Sequence, residues 1–185
     1  MAKHILAWHF APKGPDDRPM LGNNDGRIIE IGETLSVKGK IEICRSGLHA
    51  SRRIIDALSY STGPIICRVE LWGDVTEQSN KLVARNRKCL WYIPDSEELL
   101  RYFARLCAMS VIDKWDAPDV VLDYLATGDE RLRSAADSAA DSAADSAADS
   151  AAYWAADSAA DSAARLAFND LLLDLAEGSL IKGGA

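Results

Sequence analysis

Ile65-Ile-Cys-Arg-Val-Glu-Leu-Trp72 and Lys81-Leu-Val-Ala-Arg-Asn-Arg-Lys-Cys-Leu-Trp-Tyr-Ile93 are the two segments that decide the fold. Both are dense in β-branched and aromatic residues, which suit a pleated, half-buried strand. Side chains alternate along a strand. On that alternation Lys81, Val83, Arg85, Arg87, Cys89 and Trp91 share one face, and Leu82, Ala84, Asn86, Lys88, Leu90 and Tyr92 the other. One end of the second strand is then basic, and the other apolar and aromatic. Lys81, Arg85 and Arg87 are placed to grip a phosphate, with Arg68 on the preceding strand as a further cation. The competing reading is a solvated edge strand whose charges deter aggregation.

Upstream, His4 to Phe10 reads as a first strand, and Ala11 to Pro19 as a loop by its proline and glycine content. Arg27 to Ile31 reads as a strand. Thr34 to Val37 and Lys40 to Cys44 flank Lys38-Gly39 as a hairpin. Ser51 is placed to cap a short helix ending at Tyr60.

Downstream, Pro94-Asp-Ser-Glu-Glu98 opens a helix with an Asp or Ser cap, acidic first-turn residues and then an apolar face of helical spacing. Asp116-Ala-Pro-Asp119 opens another, which Gly128 ends, and Asp129 is placed to cap the next. Trp72, Trp91, Tyr92, Tyr102 and Phe103 are expected in the core. The fold class is α+β: a small mixed or antiparallel sheet domain over residues 1–94, a two-helix connector over 95–130, and an alanine-rich helical tail over 131–185.

The tail runs on a register of four. Ser-Ala-Ala-Asp repeats place Ala-Ala pairs from Ala135-Ala136 to Ala163-Ala164, with Tyr153-Trp154 and Arg165-Leu166 in the Asp-Ser slots. Alanine is the best helix former, so one helix of about 70 Å at about 1.5 Å per residue is expected over 131–177, ending at Gly178. Asp137/Asp141, Asp141/Asp145, Asp145/Asp149 and Asp157/Asp161 are like charges at i,i+4, each costing ~0.2–0.5 kcal/mol. The helix therefore needs a partner on its alanine face. The expectation is self-association into a homo-oligomer, with docking on the chain's own helices or a low-complexity spacer as alternatives. Tyr153-Trp154 reads as an anchor against a neighbouring helix.

The net charge of −7 is unevenly spread. Residues 1–94 carry 14 Lys+Arg and 10 Asp+Glu, a net of +4; residues 95–185 carry 7 and 18, a net of −11. An acidic tail repels phosphate backbones, which disfavours nucleic acid as a partner, while the basic front half suits a small anion. Cys44, Cys67, Cys89 and Cys107 make no C-x-x-C pair and sit in apolar stretches, the pattern of free, buried, reduced thiols. No apolar run suggests a membrane span and no signal-peptide pattern opens the chain, so a cytoplasmic location is expected.

The segment Cys44-Arg-Ser-Gly-Leu-His-Ala-Ser51 puts a glycine and a histidine where a strand passes into a helix. With Asp56 to Tyr60, Cys67-Arg-Val-Glu70 and Lys81-Leu-Val83, it resembles a bacterial and phage-associated domain family of unknown function. Longer members also look like this chain at Trp8-His9-Phe10, Trp115 to Pro118 and Tyr124 to Glu130, and carry Ala-Ala tails of period four. The resemblance covers nearly the whole chain. It implies an architecture and a phage or bacterial context, and no activity.

The site expected is a ligand pocket drawing on His9, His49, Arg45, Ser51, Arg68, Lys81, Arg85 and Arg87. His9, His49 and Cys44 match no zinc spacing, so no metal is expected. The order of elements is also similar to that of ADP-ribosyltransferases. By that likeness His9 and His49 contact NAD, and Glu70 or Glu77 supplies the acid; here His49 stands where that family carries Tyr or Ser. The expected function is a non-enzymatic binding or interaction module, with NAD or a related small nucleotide as the candidate ligand rather than a cofactor. The alternatives are an ADP-ribosyltransferase-like enzyme and a structural self-assembling protein.

Overall fold

The computed structural model describes residues 4–22, 26–110, 112–114, 116–147 and 158–183. It divides into two compact units, Met1–Glu98 with Asn169–Ala185, and Leu99–Phe168. The class is α+β, as expected.

The first unit is built on five strands: β1 (Ile5–Ala11), β2 (Thr34–Ser36), β3 (Leu48–Ala50), β4 (Ile65–Gln78) and β5 (Lys81–Ile93). All pairings between them are antiparallel. The order is β1-β4-β5-β2, and β3 lies beside β2 on the same edge of β5. One further contact closes this sheet on itself. Just past β3, Ser51 exchanges two backbone hydrogen bonds with Trp8 of β1, at 2.7 and 2.9 Å. Strands β1, β4, β5 and β3 thus form a ring with Ser51 as the last link.

Two irregularities set which way the side chains of β5 point. Val69 pairs with Cys89 and Arg68 with Trp91, so Leu90 is an extra residue, a β-bulge. Adjacent residues of β4 face opposite ways, so their partners do too. Cys89 joins the core beside Cys67, Val69 and Leu71. Trp91 instead meets Trp8 edge-on at 5.5 Å. The expectation that Cys89 and Trp91 share a face therefore fails at the bulge. The second irregularity is in β4, where Gly73 and Asp74 together oppose Arg85. Gly73 has φ of 86°, open to glycine without the steric cost other residues meet. This bulge carries the strand past Trp72, where the sequence suggested an end.

Other local expectations yield to long-range pairing. Thr34–Ser36 does not form a hairpin with Lys40 to Cys44; it pairs with Asn86, Arg87 and Lys88 of β5. Residues 42–46 close a tight turn instead, with Ser46 N donating to Glu42 O at 2.9 Å. Arg27 to Ile31 makes only single bridges, Ile28 to Met20 and Ile31 to Cys89. Ser51 is engaged with Trp8, so the short helix α1 (Ile54–Leu58) starts later, with Arg53 at its cap position.

In the second unit, α2 (Glu97–Met109) starts within the first unit's last residues, its opening supported by Glu97 N donating to Asp95 Oδ1 at 3.1 Å. Phe103 is buried and meets Phe168 edge-on at 6.3 Å, whereas Tyr102 is 43% exposed and outside the core. Helix α3 (Asp119–Thr127) ends at Gly128 in a left-handed cap, and Asp129 Oδ1 accepts from Arg131 N at 3.0 Å to open α4 (Glu130–Ala147). Both caps fall where the sequence put them. Ala136, in the first full repeat, is buried.

Helix α5 (Ser158–Gly183) continues through Gly178 rather than stopping there. A helical glycine lowers stability by about 1 kcal/mol without ending a helix that has packing to hold it. That packing is real: Leu172 and Ala176 are fully buried, and Asn169 Oδ1 accepts from Ile55 N at 3.5 Å in the first unit. Tyr153-Trp154 and the middle of the repeat lie outside the described residues.

Candidate functional site

The ring closure at Trp8 and Ser51 brings three distant stretches together: β1 with His9, the Cys44–Ser51 segment, and β5 with Lys81 and Arg87. Between them lies a cleft of about 450 Å³, within the range of about 300–1,000 Å³ common for small-molecule sites.

The Cys44–Ser51 segment is held by its own glycine. Gly47 has φ of 118°, and a Cβ there would stand 2.4 Å from Val83 Cγ2 on β5. Only glycine lets the chain lie this close to the strand. Three residues earlier, Cys44 adopts φ of 63°, a left-handed conformation uncommon outside glycine. Its backbone N–H donates to His49 Nε2 at 3.0 Å. An Nε2 that accepts carries no proton, so the ring proton is on Nδ1. Burial, then the charges of Lys81 and Arg87, push His49 below the ordinary histidine range, against a raising hydrogen bond that the ring donates to the Gly47 backbone. His49 is thus a neutral imidazole that braces the segment.

His9 enters the same cleft from β1 and is pushed well below the ordinary histidine range, by burial first and then by Arg87 and His49. Both histidines are therefore neutral near pH 7, and the positive charge of the site is left to arginine and lysine.

Arg87 is the central group. It is 3% exposed, and its Nη1 donates to the His49 carbonyl at 2.8 Å. Among the described residues it has no carboxylate partner, and burial lowers its pKa to about 10. Lys81 stands at the rim, 3.6 Å from Cys44 Sγ and 3.9 Å above the Tyr60 ring. Tyr60 is itself oriented by its hydroxyl, 2.9 Å from Asn80 Oδ1. Arg27 and Arg45, the latter paired with Glu42 at 3.4 Å, add to the cationic lining, and no Asp or Glu among the described residues lines the cleft. In a chain with 28 acidic residues, that exclusion marks the electrostatic character of the site.

Of the residues expected from sequence, His9, His49, Arg45, Ser51, Lys81 and Arg87 converge here. Arg68 and Arg85 do not. Arg68 lies over the Trp8 ring at 4.5 Å, with Glu177 of α5 nearby. Arg85 faces the β4 bulge, where Asp74 Oδ2 accepts from its Nε and Nη2 at 2.9 and 2.7 Å, and the Val37 and Gly39 carbonyls accept from its Nη1. The glutamates suggested as an acid are also elsewhere: Glu70 pairs with His4 at 3.0 Å, and Glu77 with Arg52 at 2.8 Å. Tyr60 and Arg27 were not foreseen as lining. Tyr60 carried a usable signal, an aromatic ending the short helix that follows the glycine–histidine segment.

The architecture and site define a small α+β domain with a cationic cleft that no described acid lines. Residues 23–101 match the family described as Domain of unknown function (DUF7666). The match includes the Cys44–Ser51 segment, β4 and β5, and excludes β1 with His9. No curated protein matches the chain, and no solved structure does either. Among the described residues no helix is long and apolar enough to cross a membrane.

Proposed function

We propose that the cleft holds a small anionic ligand of the nucleotide class and that the protein is a binding module rather than an enzyme. The observation that carries this reading is Arg87, a buried guanidinium with no carboxylate partner among the described residues, in a cleft that no described acid lines. Burying an unpaired charge is costly, and a ligand phosphate supplies the missing partner through charge-assisted hydrogen bonds. Lys81 offers a second cation at the rim, and Tyr60, 41% exposed, is an aromatic residue there that a planar base can meet. The neutral His9 and His49 are hydrogen-bonding groups here, and neither Glu70 nor Glu77 reaches the cleft to serve an ADP-ribosyl transfer.

The test is calorimetric titration of the full chain with AMP and with NAD at low salt, followed by chromatography of the recovered ligand. The expected result is saturable binding that Lys81→Met weakens about tenfold, with the ligand recovered unchanged. No binding of either nucleotide overturns the reading. NAD turned over by the protein replaces it with the enzymatic one.

The tail is proposed as the oligomerising element. Its described ends bury Ala136, Leu172 and Ala176 within the chain. The aspartate repulsion of the central repeats still calls for a partner. Sedimentation equilibrium of the full chain tests this: a homo-oligomer is expected, and a monomer at all concentrations refutes it.

A further inference from the structure

Cys44 is exposed at the rim of the cationic cleft, and its sulfur has a use that anion binding alone does not give it. Lys81 Nζ lies 3.6 Å from Cys44 Sγ. The Cys44 backbone is left-handed and its N–H donates to His49 Nε2 at 3.0 Å, which holds this residue at the rim. Deeper in the same cleft is Arg87, 3% exposed, hydrogen-bonded to the His49 carbonyl and without a carboxylate partner among the described residues. That buried cation is independent of the thiol, and it points to an anionic group entering past Cys44. The other three thiols lack this setting: Cys67 and Cys89 are buried in the core, and Cys107 lies on α2.

We propose that Cys44 is a modification site that forms a mixed disulfide with anionic low-molecular-weight disulfides, those whose two halves carry carboxylates. This rests on the cleft being an anion site, and it adds a covalent chemistry to it. Cys44 Sγ, as thiolate, attacks one sulfur of R–S–S–R. The Cys44 S–S bond forms as the R–S–S–R bond breaks, and RS⁻ leaves with the electron pair and takes up the proton that Cys44 gave up. Cys44 is oxidised, and one half of the disulfide is reduced to the thiol. Attack spreads negative charge over three sulfurs in line, and the Lys81 ammonium is placed to offset it. The carboxylates of the incoming molecule meet Arg45 and Arg87, whose lining of the cleft favours anionic over cationic disulfides.

The experiment uses the full chain at low ionic strength with oxidised glutathione, and in parallel with cystamine, a cationic disulfide of similar reactivity. Peptide mapping by mass spectrometry follows each cysteine over time, with Cys107 as the internal reference. Expected is modification of Cys44 about tenfold faster by oxidised glutathione than by cystamine, relative to Cys107. Lys81→Met should remove most of that preference while its thermal melt stays cooperative, and AMP bound beforehand should slow the reaction. Equal rates with the two disulfides overturn the proposal, as does an unmodified Cys44 in protein that binds AMP. Charge-selective modification without AMP binding supports it, and the nucleotide reading alone then fails.

Discussion

Replacing Arg87 with methionine separates a binding role from a structural one, because the two make opposite predictions for stability. Burial lowers the Arg87 pKa from its ordinary value to about 10. At about 1.4 kcal/mol per power of ten, keeping this guanidinium charged costs the unliganded fold roughly 3 kcal/mol. Set against that is one hydrogen bond to the His49 carbonyl at 2.8 Å, which a charged donor makes worth about 1.5–3 kcal/mol. Methionine fills similar volume without the charge. The unliganded Arg87→Met protein should therefore be as stable as the wild type, or up to about 1–2 kcal/mol more stable. Buried charges replaced by apolar residues behave this way in general, whereas breaking a well-paired one costs about 3–5 kcal/mol. Urea unfolding followed by far-UV circular dichroism measures the difference, with unchanged m-values as the check that the two states are comparable. Calorimetric titration with AMP on the same sample should show binding abolished. A loss above about 2 kcal/mol would refute the reasoning, because it would mean that Arg87 has a compensating partner in the folded state and is there to hold the fold.

Three further outcomes follow from the geometry. Gly47→Ala forces a side chain into a left-handed backbone and to within 2.4 Å of Val83 Cγ2; a loss of about 2–4 kcal/mol in urea midpoint is expected, partly restored by Val83→Ala, and a neutral effect would contradict the close approach. The folded-state pKa values of His9 and His49 are both depressed, so the unfolded chain binds more protons than the folded one below the ordinary histidine range; stability is full above about pH 6.5 and falls as the pH drops, by up to about 1.4 kcal/mol per pH unit for each group, and His9→Gln should flatten that slope in pH-dependent melts. Leu172→Ala, in the fully buried position of α5, should cost about 2–5 kcal/mol, and a silent substitution would show that this part of the tail is not docked within the chain.

How far the sequence could be read depended on whether a feature is set locally. Lys81–Ile93 was legible to the residue because a run of β-branched and aromatic side chains states its own conformation. The caps at Gly128 and Asp129 were legible for the same reason: they are contacts within four residues. The facing of β5 was not. A bulge adds one residue that looks like any other, and Leu90 carries no mark that it stands outside the alternation. Arg85 was grouped with Arg87 by that alternation, yet it answers to Asp74, whose position depends on a glycine in another strand.

The site shows the same division, with a consequence for how its parts are weighed. His9 and His49 were each noticed as residues, but their meeting depends on two hydrogen bonds between Trp8 and Ser51, across a loop that no local pattern closes. Sequence reasoning gave Ser51 to a helix cap, which is what a serine before an apolar helical run ordinarily does. Its use in the ring instead leaves α1 without a side-chain cap. Cys44 takes a left-handed backbone, Gly47 is held against Val83, and Arg87 is buried with no acid beside it among the described residues. Each of these breaks a local preference, and all of them line one cleft. Folding alone gives no reason for such costs to accumulate at one place, because an apolar residue at 87 and a conventional helix cap at 51 would satisfy the sheet and the helix equally well. The proposed ligand would give that reason: pairing with Arg87 would compensate the buried charge, and the closed ring holds in place the groups proposed to receive it.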